Sequence, residues 1–428
     1  MTSPTLTSPP PQSIATTRTQ LANGLTLIVT PNPVADIVSA QIFIKAGQAQ
    51  ETADTASLFT LLADVILKGT QRKTSLQIAE AVESVGASFG SDVAADYSQI
   101  SLKTVSADFE SVLALAAEVI REPSFLESEV ELEKRLILQG IRSMKEQPFS
   151  VAYSQFREIL YAGHPYGLSN AQSEQCVAQF TRQDLVNAHS QYFRPDNIII
   201  SIAGRISIER AAQLVEGLFG DWQRPAAPLP KTNFPQLKVA ARQTVTAQST
   251  NQAFVIVGHV AGAVSHPDYS ALKLMSTYLG NGLSSRLFVE LREKQGLAYD
   301  VSAFYPTRLD ASQFVTYIGT APENIQIALN GLQQELDRLK TTPLTPTELQ
   351  VSKNKMLGQY ALGKQTNGQI AQALGWYETL GLGIEFDREF QSAIAAVTCL
   401  DIQAAAQRHF VEQYVSILGP DTAVASLQ

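Results

Sequence analysis

Apolar residues fall into short runs and helical stripes that recur in two rounds along the chain. Gly24 to Thr30 (GLTLIVT) and Ile37 to Ala46 (IVSAQIFIKA) are β-branched and apolar, which predicts strands. Ala56 to Leu67 is apolar at helical spacing, which predicts a helix. A second helix follows in TSLQIAEAVESVG, with Thr74 or Ser75 as its cap and Gly86 as its stop. Ser98 to Val105 returns to a strand. Ala107 to Met144 reads as two amphipathic helices broken at Pro123, Ile198 to Ile202 as a strand, and Ile208 to Phe219 as a helix.

Trp222 to Gln248 is rich in Pro and Ala and poor in periodicity, so it reads as a linker. Beyond it the pattern restarts. Gln252 to His259 predicts a strand, Tyr269 to Leu279 a helix, and Ala321 to Leu339 a long helix. Three pairs of segments echo one another. They are FTRQDLVNAHSQYF with VTCLDIQAAAQRHF, IIISIAG with YVSILG, and PSFLESEVELEK with PLTPTELQVSK. All three pairs are separated by nearly the same interval, which chance matches would not share. An internal duplication follows, giving two α/β halves of one design. The expected division is a disordered tail over 1–18, an N-terminal domain over 19–221, a linker over 222–248 and a C-terminal domain over 249–428.

At 428 residues with 45% hydrophobic and 17% charged residues, the chain can bury large cores without a metal or disulfide. A net charge of −8 and the lack of any basic tract argue against nucleic acid. No apolar run is long enough to span a membrane. The Ser-, Thr- and Pro-rich start lacks a secretory signal's apolar core. A bacterial cytoplasm is the expected location, with an organelle matrix as the open alternative. Cys176 and Cys399 read as reduced, buried thiols.

Two segments carry a family resemblance. KAGQAQETADTASLFTLLADVILKGTQRKT spans Lys45 to Thr74, and YLGNGLSSRLFVELREKQGLAYDVSAF spans Tyr278 to Phe304. With the His164–Gly167 turn (HPYG), they resemble the family of pitrilysin, insulysin and mitochondrial processing peptidase, the inverzincin metallopeptidases. The resemblance implies an α/β (α+β) fold of two homologous domains, each a mostly antiparallel sheet packed with helices. Active members carry H-x-x-E-H before a K-G-T turn, and a downstream Glu completes the zinc site.

Anchoring on Lys68-Gly69-Thr70 places that motif at Thr60 to Asp64. Thr60 stands for the first His, Ala63 for the Glu and Asp64 for the second His, while Gly140 stands at the third ligand's spacing. Glu131, Glu133 and Glu146 lie nearby should that last alignment slip. Catalytic zinc needs three donors and an open position, and water activation needs a general base. No metal or cofactor is therefore expected in this chain. In the family, an Arg and a Tyr seven residues later reach the substrate, and Arg292 and Tyr299 match them. The resemblance implies that Arg292 orients a substrate carbonyl and Tyr299 helps hold the scissile oxygen.

The expected role is thus the non-catalytic half of a heterodimeric peptidase. A partner bearing H-x-x-E-H would bring zinc, and peptides or unfolded segments would be the substrate. A structural scaffold of the same fold, as in respiratory core subunits, is the alternative, and homodimerisation of the isolated chain is open. In the family, the presequence-binding subunit of the mitochondrial peptidase carries a long glycine-rich loop in its second domain, and this sequence has no such expansion, which argues against that role. Gly280-Asn281-Gly282 reads as a turn, His259 and His266 as structural or surface residues, and Asp92 and Asp96 as solvated carboxylates.

Overall fold

The computed structural model describes residues 16–425 and Leu427. Most of the expected tail lies outside the described residues, but its last two, Thr17 and Arg18, already belong to a strand.

Two sheets organise the chain. The first contains β1 (Thr17–Gln20), β2 (Thr26–Pro31), β3 (Ile37–Ile44), β4 (Ser88–Val93), β5 (Ser98–Val105) and β6 (Ile198–Gly204), in the order β1-β2-β6-β3-β5-β4. The second contains β7 (Arg242–Ala247), β8 (Ala253–Ala261), β9 (Ala298–Phe304), β10 (Ser312–Thr320) and β11 (Tyr414–Gly419), in the order β7-β11-β8-β10-β9. Without β1, the first order becomes the second. Each sheet has one parallel pair, β2 with β6 and β7 with β11, and is otherwise antiparallel. The echoed segments IIISIAG and YVSILG are β6 and β11, which occupy the same place in the two sheets. Their preceding helices share a cap: Thr181 with Asp184, and Thr398 with Asp401, form matching capping boxes.

β7 falls inside the stretch read as linker. It is an edge strand that is half-buried at best, so its sequence, RQTVTA, carries little apolar signal. Gly204 ends β6 with φ +142°, and a Cβ there would overlap the Ile37 carbonyl oxygen and lie 2.7 Å from Val38 Cα. Gly204→Ala is expected to cost about 2 kcal/mol. The check is a lower urea midpoint at an unchanged slope.

One face of each sheet packs on helices of its own half. The other face takes a helix from the opposite half. Helix Pro148–Leu160 crosses to cover β8 and β11, and helix Asn367–Thr379 crosses to cover β3 and β6. Both contacts seat a phenylalanine on a glycine. The ideal Cβ of Gly258 would lie 2.6 Å from Phe156 Cζ, and that of Gly375 would lie 2.8 Å from Phe43 Cδ2. Polar ties fix each crossing. Ser416 Oγ donates to Ala152 O (2.9 Å), Asn367 Nδ2 donates to Ile37 O (2.9 Å), and Arg18 pairs with Glu378 (2.7 Å). Among the described residues, no helix is long and apolar enough to cross a membrane.

Candidate functional site

The segment aligned with the zinc motif lies on helix Leu58–Ile66, which packs its apolar side on β4 and on helix Glu127–Lys145. Its start is unusual. Ser57 sits in the left-handed region (φ 68°) and makes no side-chain cap. Glu51 caps instead, its two carboxylate oxygens accepting from Ser57 N and Phe59 N at 2.9 Å each. Burial pushes the Glu51 carboxyl up to about 7 against the pull of those two N–H groups. The helix runs out into the Lys68-Gly69-Thr70 turn. Thr70 Oγ accepts from Lys73 N (2.9 Å) and donates to Glu118 (2.5 Å).

Residues four apart share a helix face, so Thr60, Asp64 and Lys68 form one row. Ala63 is buried, and its carbonyl accepts from Ser91 Oγ of β4 (2.5 Å). Lys68 Nζ lies 2.8 Å from Glu133 Oε1 on helix Glu127–Lys145; the two are close as charges but lack hydrogen-bond alignment. Gly140 lies two turns beyond Glu133, with open space where a side chain would begin. Glu133, rather than position 140, thus brings a carboxylate to the motif row.

Burial, and then the negative charges of Glu133 and Asp92, push the Asp64 carboxyl up to about 6, with Lys68 pulling the other way. The row therefore offers a threonine hydroxyl, one aspartate of weakened acidity and a glutamate already facing an ammonium. Zinc of the catalytic kind needs three good donors and an adjacent base. These residues do not fit it. The same arrangement gives a pH prediction. Between pH 3.8 and about 6 the folded chain keeps a proton on Asp64 that the unfolded chain has released, so this group adds stability as pH falls through that window. Asp64→Asn is expected to remove that gain and to stabilise the chain at pH 8 by about 1 kcal/mol, after allowance for solvent screening. Thermal melts of both chains across pH 4–8 test it.

Arg292 and Tyr299 stand in the other half. The segment that carries Arg292 is π-helical over Phe288–Lys294, a form found frequently at functional positions. It closes at Gly296 (φ +66°). Gly296 N donates to Arg292 O (3.1 Å) and Leu297 N to Leu291 O (2.9 Å), so the backbone reverses directly into β9. The Arg292 guanidinium lies over the Phe288 ring, 4.9 Å from its centroid. Tyr299 is the second residue of edge strand β9 and is 58% exposed. Among the described residues, neither side chain has a hydrogen-bond or ion-pair partner within the chain.

The histidines divide. His259 is buried, bonds Glu412 O through Nδ1 (2.9 Å), and is held by burial down to about 4, which is a structural role. His266 is joined by Asp268 and His409, with their donor atoms within 4.8 Å of one another. His409 is far from His266 in the sequence, so spacing alone does not bring the two together. Asp268 is already gripped by the Arg408 fork (2.6 and 2.8 Å) and by His409 Nε2 (3.0 Å), so an ion-pair knot accounts for the cluster. Asp96, expected in solvent, is instead buried, and it accepts from Tyr166 Oη and from Leu309 N (3.3 Å).

Known proteins align with the whole arrangement. The model of the insulinase family (peptidase family M16) matches residues 27–174, and that of the peptidase M16 inactive domain matches residues 179–356. A protein named as an uncharacterised zinc protease of Bacillus subtilis is 26% identical over 405 residues, covering 92% of this chain and 96% of its own. One of Mycobacterium tuberculosis is 26% identical over 424 residues, covering 98% and 96%. Among solved structures, a protease from Helicobacter pylori superposes with a TM-score of 0.89 at 22% identity, covering 95% of this chain and 100% of that one. A peptidase M16 inactive domain from Pseudomonas fluorescens gives 0.87 at 22%, covering 95% and 98%. These two structural likenesses speak for the fold. With two models of one family matching in tandem, on two sheets of one topology, the chain belongs to peptidase family M16.

Proposed function

We propose that this chain is the non-catalytic subunit of a heterodimeric zinc peptidase, closing a chamber and lending Arg292 and Tyr299 to its partner's active site. One observation carries the reading. The motif row does not fit a metal site, while Arg292 and Tyr299 flank the Gly296 turn and, among the described residues, have no partners for their donors. A guanidinium fork and a phenol are suited to a substrate carbonyl and to charge growing on its oxygen. The partner, a chain with intact H-x-x-E-H, brings the zinc that polarises the carbonyl and acidifies water. The edge strand β9 that holds Tyr299 favours an extended peptide as the substrate.

The test is reconstitution. The chain is purified from native lysate, its co-eluting M16 chain is identified, and each is assayed alone and mixed on a quenched peptide. Turnover by the mixture only, abolished by chelator, is the expected result. Full turnover by the partner alone would reject the reading and leave the scaffold role in its place.

A further inference from the structure

A cavity of about 620 Å³ opens in the second half, between helix Tyr269–Gly280, β9 and the crossing helix Asn367–Thr379. That volume suits a small molecule or the end of a peptide. It is the second half's counterpart of the motif row. Helix Tyr269–Gly280 packs on β9 as helix Leu58–Ile66 packs on β4 in the first half, and Ser302 Oγ of β9 donates to Gly280 O (2.8 Å).

The walls are largely aromatic, with Trp376, Phe386 and Phe390 among them. Most polar side chains in the lining are already spent. Tyr269 Oη shares a hydrogen with Thr307 (2.7 Å), Tyr305 Oη donates to Gly262 O (2.5 Å), and Tyr360 bonds Tyr377 (2.5 Å) and Asp387 (2.8 Å). Asn281 and Gln359 bond each other (2.6 and 3.1 Å), while Ser276 and Thr277 bond Lys273 O (2.9 and 3.1 Å).

Lys273 is the exception. An ammonium carries three N–H donors. One goes to Tyr305 O (2.9 Å), and the charge lies over two rings, 5.3 Å from the Tyr269 centroid and 5.1 Å from that of Tyr305. Among the described residues, no carboxylate pairs with it. The nearby acids are engaged elsewhere, Asp268 by Arg408 and His409, and Asp387 by Lys364 and Tyr360. Arg308 adds a second positive charge to its surroundings.

We propose that this cavity binds a monocarboxylate attached to a flat apolar group, with Lys273 receiving the carboxylate and the aromatic walls receiving the body. Such a group occurs as a free aromatic acid or as the C-terminal end of a peptide. A bound carboxylate would take the two unspent N–H donors and restore the charge balance that the fold leaves open. Burial, and then Arg308, hold the Lys273 amine down to about 7. Tyr269 and Tyr305 stay neutral near pH 7, because burial moves their phenols upward. An anion therefore binds with proton uptake near neutrality, and its affinity falls as pH rises from 6 to 9.

The test uses the full chain and Trp376 fluorescence, with Trp376→Phe to assign the signal. Phenylacetate, N-acetylphenylalanine and the tetrapeptide Ala-Ala-Ala-Phe are titrated as free acids and as amides. Each acid is expected to bind at least about 10-fold more tightly than its amide, as a charge-assisted hydrogen bond requires. Lys273→Met should erase that difference. Tighter binding of the tetrapeptide would name a peptide end as the source, and equal binding would name the free acid. Equal affinity of acids and amides for the wild-type chain would overturn the proposal, with no variant needed. The site is independent of the subunit reading, since loss of Arg292 or Tyr299 leaves it intact.

Discussion

In the reconstituted complex, Tyr299→Phe is expected to lower kcat on a peptide by about 10²-fold and to change KM little. The phenol donates only where negative charge grows, so its loss falls on the transition state. Its 58% exposure and lack of an internal partner mean that the hydroxyl can be removed without disturbing the fold. Arg292 should behave differently. Its fork would hold a substrate carbonyl in the ground state as well, so Arg292→Ala should raise KM and lower kcat/KM together. Arg292→Lys should recover only part, because an ammonium lacks the planar fork. Steady-state kinetics on one peptide with all three variants separates these outcomes. Unchanged kcat for the phenylalanine variant would remove the hydroxyl from the mechanism.

The second large effect concerns the crossing helices. Gly375→Leu is expected to destabilise the chain by about 3 kcal/mol or more, because the new side chain must enter space that Phe43 and Ser201 hold. Phe43→Ala alone should cost about 3–5 kcal/mol by leaving a cavity in the same contact. Together they should cost less than the sum, since the lost ring vacates room for the leucine. Denaturant melts of the four chains of this cycle measure the coupling. Strict additivity would mean that the helix does not seat on β3 as described.

The duplicated plan was legible in the sequence because β6 and β11, and the capped helices before them, keep the same residue types in the same order. The motif helix and its K-G-T turn were legible for a similar reason: short-range spacing fixes them. The crossings were not. Helical periodicity tells that one side of Pro148–Leu160 or Asn367–Thr379 is buried, but not which sheet receives it. The π form of Phe288–Lys294 was hidden too. Its apolar spacing suits an ordinary helix, and its closure depends on Gly296 and on Leu291 packing against Gly331 far along the chain. At the motif, alignment by spacing pointed to Gly140, whereas geometry brings in Glu133 two turns earlier. Linear spacing counts residues, and a helix face returns every three or four, so both positions satisfy the same side. Lys273 was invisible because one lysine in an apolar stripe looks like a surface residue until the aromatic walls close around it.

The exchange of covering helices also governs how the chain is made. β3 and β6 leave the ribosome well before residues 367–379 exist, so Ile28, Phe43 and Ile199 wait in water for Leu374 and Tyr377. A nascent first half is consequently sticky, and a chaperone that shields that surface during translation should raise the yield of native protein. Splitting the gene at the linker would not give two self-sufficient pieces, because each fragment would carry the lid that belongs to the other.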